Sequence, residues 1–119
     1  MATARVLIVD DEPSVLRLVS KAVAGWGYEV YAVSSALQAL KLAHDELCFD
    51  LVISDVIMPE MCGPEMVRRL SRLCPNASVV MMSAHIAAEV LPAKAAFISK
   101  PFTLADLRSV VDRALSPSS

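Results

Sequence analysis

The sequence predicts an α/β domain: one parallel sheet of five strands with helices on both faces. Three observations carry this. Five short apolar runs, rich in β-branched residues, recur along the 119-residue chain. The segments between them repeat their apolar residues at helical spacing. Four of the five runs end in polar or charged groups followed by turn-forming residues, as strands do where they open into functional loops. The length suits a single domain with one sheet-centred core.

Arg5 opens the first run, Val6-Leu7-Ile8-Val9, which is apolar on both faces as a buried parallel strand must be. It stops at Asp10-Asp11-Glu12. Pro13 suits the first turn of a helix, where no N–H is needed, and Asp11 and Glu12 stand where the helix dipole favours negative charge. Val15, Leu18, Val19, Ala22 and Val23 form its apolar stripe, with Arg17, Ser20 and Lys21 opposite, and Gly25 and Gly27 mark its end. Tyr28 to Val33 is the second strand. Val30 and Ala32 share one face, and their alternation with Glu29 and Tyr31 suits a half-exposed sheet edge. Ser34 or Ser35 can cap the second helix, whose stripe is Ala36, Leu37, Leu40, Ala43 and Leu47.

Leu51-Val52-Ile53-Ser54 is the third strand and delivers Asp55 at its C-terminal lip. Pro59 and Gly63 then interrupt regular structure until Pro64 starts a third helix, with Val67, Leu70 and Leu73 or Cys74 inward. Val79 to Met82 is the fourth strand, ending at Ser83. Ala95 to Ile98 is the fifth, ending at Ser99-Lys100-Pro101. Ala84 to Lys94 must supply two loops and a helix. With loops of about 2–6 residues only one or two turns fit, and Pro92 limits them further, so a shortened fourth helix within Ile86 to Leu91 is expected. Thr103, with Asp106 three residues on, resembles a capping box. Leu104, Leu107, Val111 and Leu115 face the core from the last helix. Right-handed crossovers and one small domain favour the flavodoxin-like strand order 2-1-3-4-5.

Apolar residues make up 55% of the chain and mean hydropathy is +0.53. No apolar stretch reaches the roughly 18 residues of a membrane span, so this hydrophobicity reads as core. Met1 to Thr3 lacks a basic signal-peptide region. A net charge of −2 leaves no footprint for nucleic acid or an anionic membrane. Cys48, Cys62 and Cys74 are odd in number and widely spaced; they fit neither a disulfide framework nor a zinc site and point to a cytoplasmic location. Residues 1–115 read as the domain and 116–119 as a tail or linker.

In the 2-1-3-4-5 order, strands one and three are neighbours where the winding reverses. Asp10, Asp11 and Asp55 then share one crevice, with Ser83 and Lys100 brought by strands four and five. Close carboxylates repel, so one is protonated or cations hold them ionised. A hard divalent cation with oxygen ligands answers this, and Mg²⁺ suits few carboxylates plus phosphate oxygens. A carboxylate beside a cation, a lysine and a hydroxyl is equipped to accept a phosphoryl group as an aspartyl phosphate. Taken singly, each residue has a plain structural reading as a cap acid, turn hydroxyl or solvated charge. Their joint placement at adjacent strand ends favours the chemical one.

The stretches VLIVDDEPSV, DLVISDVIMPEMCGPEMV, VVMMSA and FISKPFTLADL resemble the receiver domain of two-component response regulators, of the chemotaxis-regulator type. The resemblance runs from about Val6 to Leu115, and D-x-x-M-P followed by K-P-F is its most specific part. It implies Asp55 as phosphoacceptor, Asp10 and Asp11 with Asp55 and the Ile57 carbonyl as Mg²⁺ ligands, and Lys100 as the phosphate-binding lysine. It implies Ser83 as the hydroxyl that turns toward the phosphoryl group, Ala84 as the small residue that leaves access, and Phe97 as the aromatic switch coupled to Ser83. It also implies a cis bond between Lys100 and Pro101, and a phosphohistidine donor on a sensor histidine kinase or phosphotransfer protein. The short segment after Ser83 departs from the family and reduces its usual dimer face, so a monomer is expected. The downstream target is not encoded in any motif.

Other readings compete. A haloacid-dehalogenase-type phosphatase needs a D-x-D pair after the first strand, where this chain has adjacent acids. A flavin module needs a hydroxyl- and glycine-rich phosphate loop there, which Asp10-Asp11-Glu12-Pro13-Ser14 is not. Gly63-Pro64-Glu65 resembles receivers of hybrid kinases, so the domain could be a module of a longer protein. His44 and His85 lack metal-ligand spacing, and Cys62 lacks a basic neighbour to activate it.

Overall fold

A computed structural model describes residues 3–45, 48–84 and 95–116. In chain order they form β1 (Arg5–Val9), α1 (Pro13–Gly25), β2 (Glu29–Val33), α2 (Ala36–His44), β3 (Leu51–Asp55), α3 (Gly63–Leu73), β4 (Ser78–Ser83), β5 (Ala96–Ser99) and α4 (Leu104–Ala114). The strands pair in parallel in the order β2-β1-β3-β4-β5, the flavodoxin-like arrangement expected from the sequence. The expected fourth helix within Ile86 to Leu91 lies outside the described residues. Among the described residues no helix is long and apolar enough to cross a membrane.

Side chains alternate across the central strands and so feed two cores. Leu7, Val9, Val52 and Met81 point to one face, where α2 and α3 cover them. Val6, Ile8, Leu51, Ile53, Val80, Met82 and Ile98 point to the other, against α1 and α4. Val6 to Val9 are wholly buried. Burying each such side chain contributes about 1.5–3 kcal/mol, so the sheet centre is the most strongly held part of the fold.

The helices bury narrower arcs than their apolar stripes suggest. Leu18, Leu37 and Leu104 are 51%, 56% and 43% exposed, although the sequence reading places all three inward; of the alternatives Leu73 and Cys74, Cys74 is the buried one. Each helix meets the sheet along one line, and residues at the stripe's edge lie outside it. In α2 the buried positions are Ala36, Ala39 and Ala43, small residues that let the helix approach closely. In α3, Met66, Val67, Leu70 and the flanking Cys74 are buried. Edge strand β2 also differs in detail. Ala32 is exposed, while Tyr31 turns to the first core and packs edge-on against Phe49, ring centroids 5.6 Å apart.

Two helix starts are capped as their sequences suggest. Ser35 Oγ accepts from the Gln38 amide at 3.2 Å, and Thr103 Oγ1 accepts from the Asp106 amide at 3.0 Å. The Thr103 cap fixes where α4 begins, just past the segment that carries Lys100. Thr103→Ala should lower stability by about 1 kcal/mol. Urea titration should show this as a lower midpoint at unchanged slope. An unchanged midpoint would mean that the cap contributes nothing net.

Candidate functional site

The C-terminal ends of β1, β3, β4 and β5 converge on one crevice. β1 and β3 are neighbours because the winding reverses there, so Asp10, just past Val9, comes beside Asp55 at the end of β3. One carboxylate oxygen from each of Asp10, Asp11 and Asp55 lies within 4.8 Å of the others. Asp10 is fully buried, Asp11 exposed and Asp55 between the two. Buried Asp10 does not stand alone. Its Oδ1 accepts from the Glu12 amide at 2.9 Å, and its Oδ2 accepts from Lys100 Nζ at 3.0 Å.

Lys100 reaches back from the end of β5. Its Nζ also donates to Asp55 Oδ2 at 3.3 Å, and its backbone N–H donates to the Ser83 carbonyl at 2.8 Å. The Lys100–Pro101 peptide is cis. Ser83 is 2% exposed at the end of β4, and Ala84 follows it at the surface. Ile57 is 64% exposed in the loop beyond Asp55. Phe97 lies across from Met81 in the β4–β5 pair and packs against the first core. The structure therefore brings the three aspartates and Lys100 into one contact group. Ser83 joins through the Lys100 backbone, Ala84 and Ile57 stand at the rim, and Phe97 sits beneath.

The electrostatics follow from this crowding. Burial pushes the Asp55 carboxyl above the usual carboxylate range, and the Asp10 carboxylate pushes the same way. The Lys100 ammonium and the Ile57 amide pull against both. For Lys100, burial alone would lower the ammonium; its contacts with Asp10 and Asp55 more than offset this and hold it above its ordinary value. The crevice thus gathers three carboxylates, two of them paired with one ammonium. An all-oxygen cluster of this charge fits a small hard cation.

Two contributors are assigned no part in the site by the residue pattern. The Glu12 amide that holds Asp10 is a backbone group. Gly63, which opens α3, approaches the Asp55 backbone so closely that a Cβ there would overlap the Asp55 carbonyl oxygen. The clue was the glycine itself, at a helix start where its flexibility is not needed. His44, by contrast, is surface-exposed beside Asp45 at 3.8 Å, away from the crevice. His85 lies outside the described residues.

Comparison with known proteins agrees with this geometry. The profile of the response regulator receiver domain matches residues 6–112. The sensor kinase CckA of Brucella abortus (strain 2308) is 37% identical over 95% of this chain and 13% of its own length. The DNA-binding transcriptional regulator NtrC of Azospirillum brasilense is 33% identical over 98% of this chain and 25% of its own. The chain therefore spans a quarter or less of these two curated relatives. Among solved structures, the chemotaxis protein CheY4 of Vibrio cholerae superposes with a TM-score of 0.86 at 31% identity, covering 96% of this chain and 100% of that one. A response regulator receiver protein from Sinorhizobium medicae WSM419 reaches 0.90 at 26% identity, covering 98% of both chains.

Proposed function

The chain belongs to the response regulator receiver family, and from that membership we propose that Asp55 accepts a phosphoryl group from a phosphohistidine of a sensor histidine kinase or phosphotransfer protein. The observation that carries the reading is Lys100 Nζ held between the Asp10 and Asp55 carboxylates at adjacent strand ends. A receiver is a signalling domain. Here the chain assists its own phosphorylation and dephosphorylation.

An Asp55 carboxylate oxygen forms the new bond to phosphorus while the P–N bond to the donor imidazole breaks. Lys100 then turns its ammonium from the carboxylates to the phosphoryl oxygens, where charge accumulates. Ser83 offers its hydroxyl to the same group, and Ala84 leaves room for the donor. Phe97 follows the Ser83 movement and carries it toward the β4–β5 side. Asp10, Asp11 and Asp55, with the Ile57 carbonyl, would hold Mg²⁺; their clustered oxygens support this. Bound there, Mg²⁺ supplies positive charge for the transferring phosphoryl group. The domain works in the cytoplasm as a monomer and touches neither nucleic acid nor membrane. The 37% identity to a sensor kinase supports a second arrangement, in which this receiver is one module of a hybrid kinase.

The test is incubation with acetyl phosphate and Mg²⁺, read by intact mass. One phosphoryl group should add, hydroxylamine should remove it, and peptide mapping should locate it at residue 55. EDTA should abolish it. A phosphoryl group mapped elsewhere would overturn the assignment. The cation's share is tested separately. Asp11→Ala should weaken Mg²⁺ binding by about tenfold or more. In EDTA the same variant should keep or raise the melting temperature, because a like charge has gone. Clear destabilisation in EDTA would count against repulsion within the cluster.

A further inference from the structure

The end of the sheet opposite the acidic crevice holds a second group of reactive side chains. Cys48 precedes β3, and Cys74 caps the C-terminus of α3. They are 26 residues apart in sequence, yet their sulfurs stand 2.8 Å from one another, with Cys74 Sγ donating to Cys48 Sγ. This is inside the ordinary van der Waals separation of two sulfurs. Cys48 Sγ also faces the Leu73 carbonyl at 3.4 Å, so the last turn of α3 holds it in place. The two thiols differ in access. Cys74 is 4% exposed. Cys48 is exposed, on an open groove it lines with Thr3, Arg5, Tyr28, Glu29 and Asp50. Burial pushes the Cys74 thiol above its ordinary range, and its hydrogen bond to Cys48 acts in the same direction. Cys48 is therefore the sulfur that a dissolved oxidant meets first, and Cys74 the one placed to respond.

We propose that Cys48 and Cys74 form a redox-reactive pair that closes reversibly into an intramolecular disulfide when a peroxide reaches Cys48. The Cys48 thiolate attacks one peroxide oxygen and the O–O bond breaks. The other oxygen leaves as hydroxide and takes a proton to become water, and Cys48 becomes a sulfenic acid. The Cys74 sulfur then bonds to the Cys48 sulfur and its proton goes to the departing sulfenic oxygen, which leaves as a second water. Two thiols and one hydrogen peroxide give one disulfide and two waters, with two electrons passing from sulfur to peroxide. Cys62 cannot take the place of Cys48 as the partner of Cys74. It stands at the opposite end of α3, whose 11 residues span roughly 16 Å. The bond would close a loop containing β3, Asp55 and all of α3. It constrains the unfolded chain and so stabilises the fold without touching the crevice.

The test uses the full chain carrying Cys62→Ser, because no lysine or arginine separates Cys48 from Cys62 and trypsin leaves both on one peptide. Hydrogen peroxide is added in stoichiometric amount, and catalase ends the reaction. Intact mass should fall by two hydrogens, and the peptides holding Cys48 and Cys74 should be linked. The melting temperature should rise by about 5–10 °C, and dithiothreitol should reverse all three changes. Cys48→Ser, a substitution at an exposed site, should show none of them. Oxygen added to Cys48 without linkage, chains cross-linked to each other through Cys48, or no reaction while free cysteine in the same tube is oxidised would each overturn the proposal.

Discussion

Asp55→Asn should bring phosphoryl uptake from acetyl phosphate down to background and, in EDTA, leave the chain at least as stable as its parent. The first effect is large because an amide oxygen is a far weaker nucleophile than a carboxylate, and no other group in the crevice takes its place. The second follows from the site's charge. Burial and the neighbouring Asp10 both oppose the ionised form of Asp55, and Lys100 only partly compensates. The amide keeps the shape, removes one of three like charges, and leaves Lys100 paired with Asp10 at 3.0 Å. The pH dependence has a definite sign. A carboxyl raised above its ordinary value of about 4 binds more protons folded than unfolded, so the parent loses stability as pH rises through that interval. Asparagine does not titrate. Its advantage should be absent below about pH 4, grow as pH passes the raised Asp55 value, and then level off. Melting curves across pH in EDTA measure this directly. A variant less stable than its parent at every pH would show that Asp55 is held by attraction, not crowded by repulsion.

The fold and the crevice were legible for one shared reason. Buried parallel strands must be apolar on both faces, so Val6-Leu7-Ile8-Val9 and Leu51-Val52-Ile53 stand out against their surroundings. Their polar ends, Asp10 and Asp55, are then conspicuous. What was less legible depends on geometry finer than periodicity. A stripe does not say how wide an arc the sheet will cover, so Leu18 and Leu37 read inward and lie half exposed. Phe49, buried against Tyr31, sits in a loop where no period applies. The approach of Cys48 to Cys74 is a consequence of α3 folding back along β3. Nothing local in either segment announces it, and the odd cysteine count argues against it.

Gly63→Ala should be among the most destabilising single-atom additions in the chain, costing about 3 kcal/mol or more. Gly63 does not owe its place to backbone freedom, since the positive-φ glycine of this chain is Gly27. The requirement is space. A Cβ at Gly63 would overlap the Asp55 carbonyl oxygen, stand 3.1 Å from the Asp55 carbonyl carbon and meet Met81 Cε at 2.7 Å. Met81 can adjust its flexible end. The Asp55 carbonyl cannot, because it belongs to the end of β3, and the neighbouring Val56 is fixed there by its backbone N–H donating to the Met82 carbonyl at 2.9 Å. Gly63 is tied to the same place, since its own amide donates to the Val56 carbonyl at 2.8 Å. Relief must come from moving the start of α3 away from β3 or from tilting the Asp55 peptide. Either displaces Asp55, so on the proposed function the variant that remains folded should also take up phosphoryl groups at least about tenfold more slowly, on the rule that small misplacements of reacting groups are costly. A double-mutant cycle with Met81→Ala separates the two contacts. Removing the Met81 side chain should rescue little of the Gly63→Ala loss, because the backbone overlap persists. Full rescue would place the constraint in side-chain packing and leave the lip of β3 free to move.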